Sequence, residues 1–319
     1  MYINWWWLHL LCYTRLVMSS LAIILVGASA FVHASWNLLG KRQNPSLAFF
    51  FIASVFAALC FSPLLWIYHA ALPSIPARVW GWLVLTSLFE VVYFIGLAGA
   101  YRHGDMSVAY PLARALPVIL VAIITAIFGL GKSLSLPGVV GILAVAFGCL
   151  VLPQRRLGKI RLGDYLNGCC LLAGVAALGT AGYTLVDNQA LFDLRSAPNI
   201  SLNPVQIAFF YLALESVIIS IALGAYVYLS TSDRAALKET WHSSRNVSFV
   251  TGLLIVGTYG LVLASMAYAS NVSYIAAFRQ LSIPLGASMG ILIQKEPAYT
   301  SKITSVGIIF GGLILIALA

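Results

Sequence analysis

The sequence predicts an all-α polytopic membrane protein of about ten transmembrane helices, arranged as a 5+5 inverted repeat. Composition is the first reason: of 319 residues, 61% are hydrophobic and 8% charged, against roughly 25% charged in soluble domains. Apolar runs are the second. A helix needs about 20 apolar residues to cross a hydrocarbon core of roughly 30 Å, and such runs recur almost end to end. Weak self-similarity between the two halves is the third.

The expected spans are about 19–39, 46–69, 79–101, 107–130, 135–153, 165–187, 203–229, 247–269, 272–294 and 301–319. The connections between them are too short for a soluble domain. Residues 1–18 carry a Trp triplet and an Arg but no small-residue cleavage site. They read either as an interfacial segment, since Trp favours the headgroup region, or as an N-terminal extension from a mis-called start, with translation beginning at Met18. Residues 19–154 form the first five-helix unit and residues 155–319 the second.

The repeat shows as Ala-Tyr closing one helix, a polar turn, then a helix with Arg and Pro. Ala100-Tyr101 answers Ala267-Tyr268, Ser107 answers Ser273, Arg114 answers Arg279, Pro117 answers Pro284, and Trp36 resembles Tyr183. An odd number of helices per copy turns the second copy upside down. Inverted repeats of this kind let two pseudo-equivalent halves open a central site alternately to either side.

The formal charge of +9 excludes little by itself. The basic residues fall in short loops rather than on one amphipathic face, so no nucleic-acid partner is expected and the lipid bilayer is the expected surroundings. About 12 Lys and Arg lie on one side, among them Lys41, Arg42, Arg102 and Arg155, and about 4 on the other. The positive-inside bias makes the richer side cytoplasmic and both termini external. The cysteines show no disulfide or zinc spacing; no metal and no cofactor are expected.

Arg114 and Arg279 remain inside spans, as do Glu90 and Glu215. An intramembrane Arg costs at least about 2.5–3.5 kcal/mol, so it faces an aqueous cavity or a partner. Two readings stand. The four charges cancel as structural ion pairs, or the two Arg attract a carboxylate or phosphate, for which the guanidinium fork is suited. In the second, Glu90 is the proton-coupling candidate, whereas Glu215, in the long seventh span, has less reason to face the cavity. His33, Trp36 and Asn37 near the end of the first span, with Tyr183 and Asp187 at the end of the sixth, are either interfacial anchors or solute-binding groups that stack and hydrogen-bond. Pro111 and Pro117 bracket Arg114 and Pro284 follows Arg279, which bends helices beside the charges.

Gly307 and Gly311 form a GxxxG, as do Gly286 and Gly290, read as close helix packing. Gly286-Ala-Ser288-Met-Gly290 also fits GxSxG, the pattern of serine hydrolases. All five histidines precede it and only His33 lies in a span, so an enzyme is not expected. No GxxxxGK[ST] loop is present, which argues against an ATP-driven pump.

His33-Ala-Ser-Trp36-Asn37-Leu-Leu-Gly-Lys41, Pro117 and Pro284, Gly141 and Gly307, and the two-copy plan resemble the EamA family of the drug/metabolite transporter superfamily over residues 19–319. Family members place Gly-Glu after the fourth and ninth helices; here Lys295-Glu296 follows the ninth and Gly131-Lys132 the fourth. The resemblance implies secondary transport, often export, of metabolites or drugs through a cavity lined by helices 1, 3, 4, 6, 8 and 9. It supports Glu90, Arg114 and Arg279 as cavity residues, and it implies cytoplasmic termini, against the charge count. The expectation is a plasma (inner) membrane carrier of a small-molecule solute, anionic or zwitterionic before cationic. The alternatives are a translocase of a lipid-linked or apolar substrate and a non-transporting receptor. The assembly is a monomer or a homodimer.

Overall fold

The computed structural model describes residues 17–40, 46–103, 106–151, 167–292, 295 and 298–319, without the side chains of residues 35–40, 101, 103, 106–112 and 290. Residues 1–16, Lys41, Arg42 and Glu296 therefore lie outside the described residues, as do the side chains of Trp36 and Asn37. The described chain is all-helical. The helices are α1 (Ser20–Gly40), α2 (Leu47–Phe61), α3 (Ala77–His103), α4 (Met106–Phe128), α5 (Leu136–Val151), α6 (Gly168–Arg195), α7 (Pro204–Leu229), α8 (Thr231–Ser265), α9 (Val272–Phe278), α10 (Ser282–Leu292) and α11 (Thr300–Ala317). A short turn of helix, Pro63–Ile67, extends α2.

Six of these stretches are long and apolar enough to cross a bilayer among the described residues, and Ser20–Ala34, Ala113–Phe128 and Leu136–Val151 are shorter apolar helices. Their outer faces are strongly apolar. Leu229 is 81% exposed and Leu136 77%, joined by Ile127, Phe128 and Leu171. In water such a surface far exceeds the patch a soluble monomer tolerates; against lipid chains it is the expected exterior.

Two helices depart from the sequence expectation. Helix α6 runs to Arg195 because its last polar turns have partners: Asp193 accepts from Trp82 Nε1 at 3.0 Å and from Gln189 at 3.1 Å, and pairs with Arg78 at 2.9 Å. Hydropathy alone stops at Asp187, which the sequence reading took for a helix end. Helix α8 starts at Thr231, well before the expected 247. Ser230 caps it through its hydroxyl, buried Asp233 pairs with Arg102 at 3.3 Å, and Trp241 stacks on Phe56.

The ninth span is broken. Pro284 has no N–H to give the carbonyl four residues back, and the chain winds as a 3-10 turn over Arg279–Leu281 between α9 and α10. Ser282 Oγ donates to the Arg279 carbonyl at 3.0 Å and Gln280 to that of Ala276 at 3.1 Å. The bend beside Arg279 is as the sequence suggests. Around Arg114 no such 3-10 turn interrupts the helix: α4 is continuous through Pro111 and Pro117.

Packing brings helices distant in sequence against each other. Helix α3 lies on α6 and α7, α8 on α1 and α2, α4 on α6, α10 on α1, and α5 on α11. Glycines admit the closest of these approaches. A Cβ at Gly179 would lie 2.6 Å from the Tyr93 backbone nitrogen, and one at Gly141 2.6 Å from the Gly312 carbonyl oxygen. The sequence reading chose other glycines: Gly307 and Gly311 have nothing within 4 Å, and Gly286 meets Ala34 at an ordinary 3.9 Å. A GxxxG spacing puts glycines on one face but does not say which face meets a neighbour.

One end of the bundle is tied together by hydrogen bonds between segments distant in sequence. Ser19 N–H donates to the Tyr268 carbonyl at 2.9 Å and Ser270 N–H to that of Val17 at 2.8 Å. Asn271 Nδ2 donates to the carbonyls of Leu130 and Lys132 at 3.2 and 2.9 Å, and the Thr125 and Ser273 hydroxyls meet at 2.8 Å. Gly131, at φ 81°, makes the tight turn that brings this loop to Ser270.

Gly141→Val and Gly179→Val therefore overpack α5–α11 and α3–α6 and destabilise by about 1–3 kcal/mol, whereas Gly307→Ala is neutral or stabilising by up to about 1 kcal/mol. Thermal denaturation of the purified protein in detergent, variant against parent, reads both.

Candidate functional site

Helical spacing aims a set of polar side chains at the interior. On α6, Gly179, Tyr183 and Asp187 follow at intervals of four and share a face. On α3, Thr86, Glu90 and Tyr93 fall at intervals of four and three. On α7, Tyr211 and Glu215 are again four apart. Because α3 packs on α6 and both meet α7, these faces converge.

Asp187 is the centre. It is 0% exposed. Tyr211 Oη donates to its Oδ1 at 2.8 Å, and Tyr259 Oη, from α8, donates to its Oδ2. Glu215, 2% exposed, lies beside Asp187, yet neither of its oxygens meets a donor in good geometry among the described residues. Glu90 is half-buried and within electrostatic reach of Asp187 and Arg279.

Arg279, in the turn between α9 and α10, lies over two rings. Its guanidinium carbon is 5.2 Å from the Tyr259 centroid and 5.9 Å from that of Tyr183, and Nη2 donates to Tyr183 Oη at 3.4 Å. The two tyrosines meet edge to face at 5.5 Å, with Tyr93 against Tyr183 at 6.0 Å. Cation–π contact of this kind is strengthened when water is excluded. Arg114, on α4, is hydrogen-bonded to His33 Nε2 on α1, and His33 lies within electrostatic reach of both arginines. Ser29 Oγ, one turn before His33, donates to the Thr258 carbonyl at 2.9 Å and fixes α1 against α8.

Of the residues singled out from the sequence, His33, Glu90, Arg114, Tyr183 and Arg279 come together. Arg279 has tyrosines as its partners and no carboxylate at ion-pair distance among the described residues. Tyr211 and Tyr259 carry no signal in the sequence analysis, Asp187 figures there only as a helix-end residue beside Tyr183, and Glu215 is set aside. The signal that could have found them is the four-residue spacing of Tyr183 with Asp187 and of Tyr211 with Glu215. Ser288 of the GxSxG pattern lies within continuous helix α10, not on the strand-to-helix elbow that exposes a nucleophile. Among the described residues no group of His, Cys, Asp and Glu is arranged to hold a metal ion.

A helical bundle with a lipid-facing exterior and ionisable groups gathered in its interior defines a polytopic membrane protein. Residues 20–153 match the EamA-like transporter family, one of the drug/metabolite transporter superfamily. A crystal structure 16% identical to this chain has the same fold, with a TM-score of 0.63 over 92% of this chain and 95% of that one. Among curated proteins none matches.

Tyr211→Phe and Tyr259→Phe each remove one donor from Asp187 and lower stability by about 1.5–3 kcal/mol, the range for hydrogen bonds to charged groups. The pair of changes together costs more than either, read as the denaturation midpoint in detergent.

Proposed function

We propose that the protein is a secondary transporter, an exporter of a small organic metabolite, with anionic and zwitterionic solutes favoured. The observation that carries this is the convergence of Arg114 and Arg279, from corresponding positions of the two halves, on His33 and the Tyr183–Tyr259 rings. Two guanidinium groups beside aromatic faces bind a carboxylate or phosphate and stack an organic body. Trp36 and Asn37, on the same helix as His33, are assigned to the same site.

The repeat follows the same reading: residues 19–154 and 155–319 are two five-helix halves of an inverted repeat. The contact of α3 with α6 mirrors that of α8 with α1, the contact of α4 with α6 mirrors that of α10 with α1, and α5 pairs with α11. That pattern supports a pseudo-twofold exchange of halves, in which the hydrogen-bonded end at Val17, Leu130 and Asn271 is the closed side in this conformation. The plasma (inner) membrane is its assigned location.

A second reading, a translocase of a lipid-linked or apolar substrate, has one observation behind it. A cavity of about 500 Å³ between α3, α4 and α6, lined by Phe89, Val92, Ile124, Leu178, Leu185 and Val186, adjoins Glu90 and Tyr183 in sequence and could hold an acyl tail beside the charged centre.

The test is a thermal-stability screen of the purified protein against anionic, zwitterionic, cationic and neutral metabolites. A ligand at about 100 times its Kd stabilises the native state by about 2.7 kcal/mol. Anions or zwitterions are expected to stabilise the parent and to fail with Arg279→Ala and Arg114→Ala. Stabilisation by cations alone, unaffected by either change, contradicts the proposal; lipid scrambling in liposomes without solute flux would favour the second reading.

A further inference from the structure

Glu215 is not explained by a solute site built on the arginines. It is 2% exposed, mid-helix in α7, and both carboxyl oxygens lack a donor in good geometry among the described residues. Its neighbour is Asp187, whose two oxygens are already taken by the Tyr211 and Tyr259 hydroxyls. A bare carboxylate in that position has neither counter-charge nor hydrogen bonds to offset its desolvation. Two carboxyl groups side by side do not both ionise; they share one proton. A protonated Glu215 has an O–H to place, and the adjacent acceptor is Asp187. A second, independent observation points at the same spot. Thr86, 0% exposed and with no partner for its Oγ1 in good geometry among the described residues, is directed at Asp187 from α3.

We propose that Asp187 and Glu215 form a proton-binding pair behind the arginine site, with Glu215 carrying the proton in this conformation, and that the pair is coupled through Arg279 to an anionic solute. The coupling rests on the functional reading above; the pair itself does not. It also moves the proton site from Glu90, on α3, to α6 and α7. Glu90 remains within reach as a third carboxyl that competes for the same positive charge.

The groups facing the pair fix the sign of the coupling. They are Thr86 and Glu90 from α3, Tyr183 from α6, Tyr211 from α7, Tyr259 from α8 and Arg279 from the α9–α10 turn, with Arg114 and His33 beyond. Ionised Asp187 and Glu90 draw on the field of Arg279, as an anionic solute does. A proton added to either carboxylate leaves Arg279 more positive towards the solute, so proton and anion favour each other's binding. Linkage makes that relation reciprocal. A carrier so built moves proton and anion together, so that export is driven by an outward solute gradient and not by an inward proton gradient, whereas a cationic solute would compete with the proton.

The pair is tested with no solute present, by infrared spectroscopy of the reconstituted protein in the stretching region of protonated carboxyl groups. At neutral pH the parent is expected to show a protonated-carboxyl band that is insulated from solvent exchange and absent from Glu215→Gln. Labelling glutamate side-chain carboxyls with carbon-13 leaves the sequence intact and must move the same band, which serves if Glu215→Gln fails to fold. No such band, or one unmoved by the label, overturns the pair. The coupling is read with benzoate as the carboxylate probe. Its affinity is expected to rise as pH falls, by at most about tenfold per unit for one coupled proton. In Asp187→Asn the slope flattens, leaving only the shares owed to Glu90 and His33. Affinity that falls with pH, or a slope unchanged in Asp187→Asn, overturns the coupling; absence of benzoate binding at every pH overturns both the coupling and the arginine site and leaves the pair to the infrared result.

Discussion

The cost of charge in a low-dielectric interior governs this structure. Glu90, Asp187 and Glu215 lie in helices long and apolar enough to cross a bilayer, and Arg114 and Arg279 in the apolar helical segments packed among them; an ionised group survives there only with partners or water. The fold answers by gathering them. His33 takes Arg114, Tyr183 and Tyr259 take Arg279, and two phenols take Asp187. Each partner comes from a different helix, so the charged centre forms only when α1, α4, α6, α7, α8 and the α9–α10 turn are all in place. Any motion that parts these helices must supply water or solute in exchange.

Backbone proximity makes the gathering geometrically feasible. Tyr93 reaches Tyr183 because Gly179 lets α3 and α6 approach with no side chain between them, and Gly141 and Gly312 do the same for α5 and α11. The same close contacts hold α3 and α6 backbone to backbone. Looser van der Waals contact, as between Gly286 and Ala34, where α10 meets α1, offers less resistance to sliding. The broken ninth span adds a hinge next to the charge: Pro284 withholds a hydrogen bond, and the serine hydroxyl at 282 takes up the Arg279 carbonyl. Placing Arg279 on a turn lets its guanidinium lie over two rings that a straight helix would pass at a different angle.

The sequence made the membrane class and most span positions legible, because hydropathy over about 20 residues is a strong signal. It also made both arginines legible, since a charge in an apolar run is conspicuous. Asp187 was hidden because hydropathy ended α6 there, while Asp193, Trp82 and Arg78 carry the helix on to Arg195. The polar start of α8 was hidden for the same reason, its stability coming from the Ser230 cap and the Asp233–Arg102 pair. Glu215 could not be placed because facing direction depends on how α7 packs, and one helix read alone gives a face without its neighbour. Glycine pairs failed likewise: Gly307 and Gly311 match a packing pattern and meet nothing, while Gly179 and Gly182, which no packing motif had flagged, border the site.

The central claim is that the His33–Arg114–Arg279 centre is a water-accessible site reached alternately from the two sides of the membrane. Substituting His33→Cys in a chain whose native cysteines are replaced, and treating oriented vesicles with a membrane-impermeant thiol reagent from one side at a time, tests it most directly. The account predicts labelling from each side separately, with the reagent excluded by an anionic or zwitterionic ligand. Labelling from neither side in a folded protein would make the charged centre a sealed structural core and contradict the account.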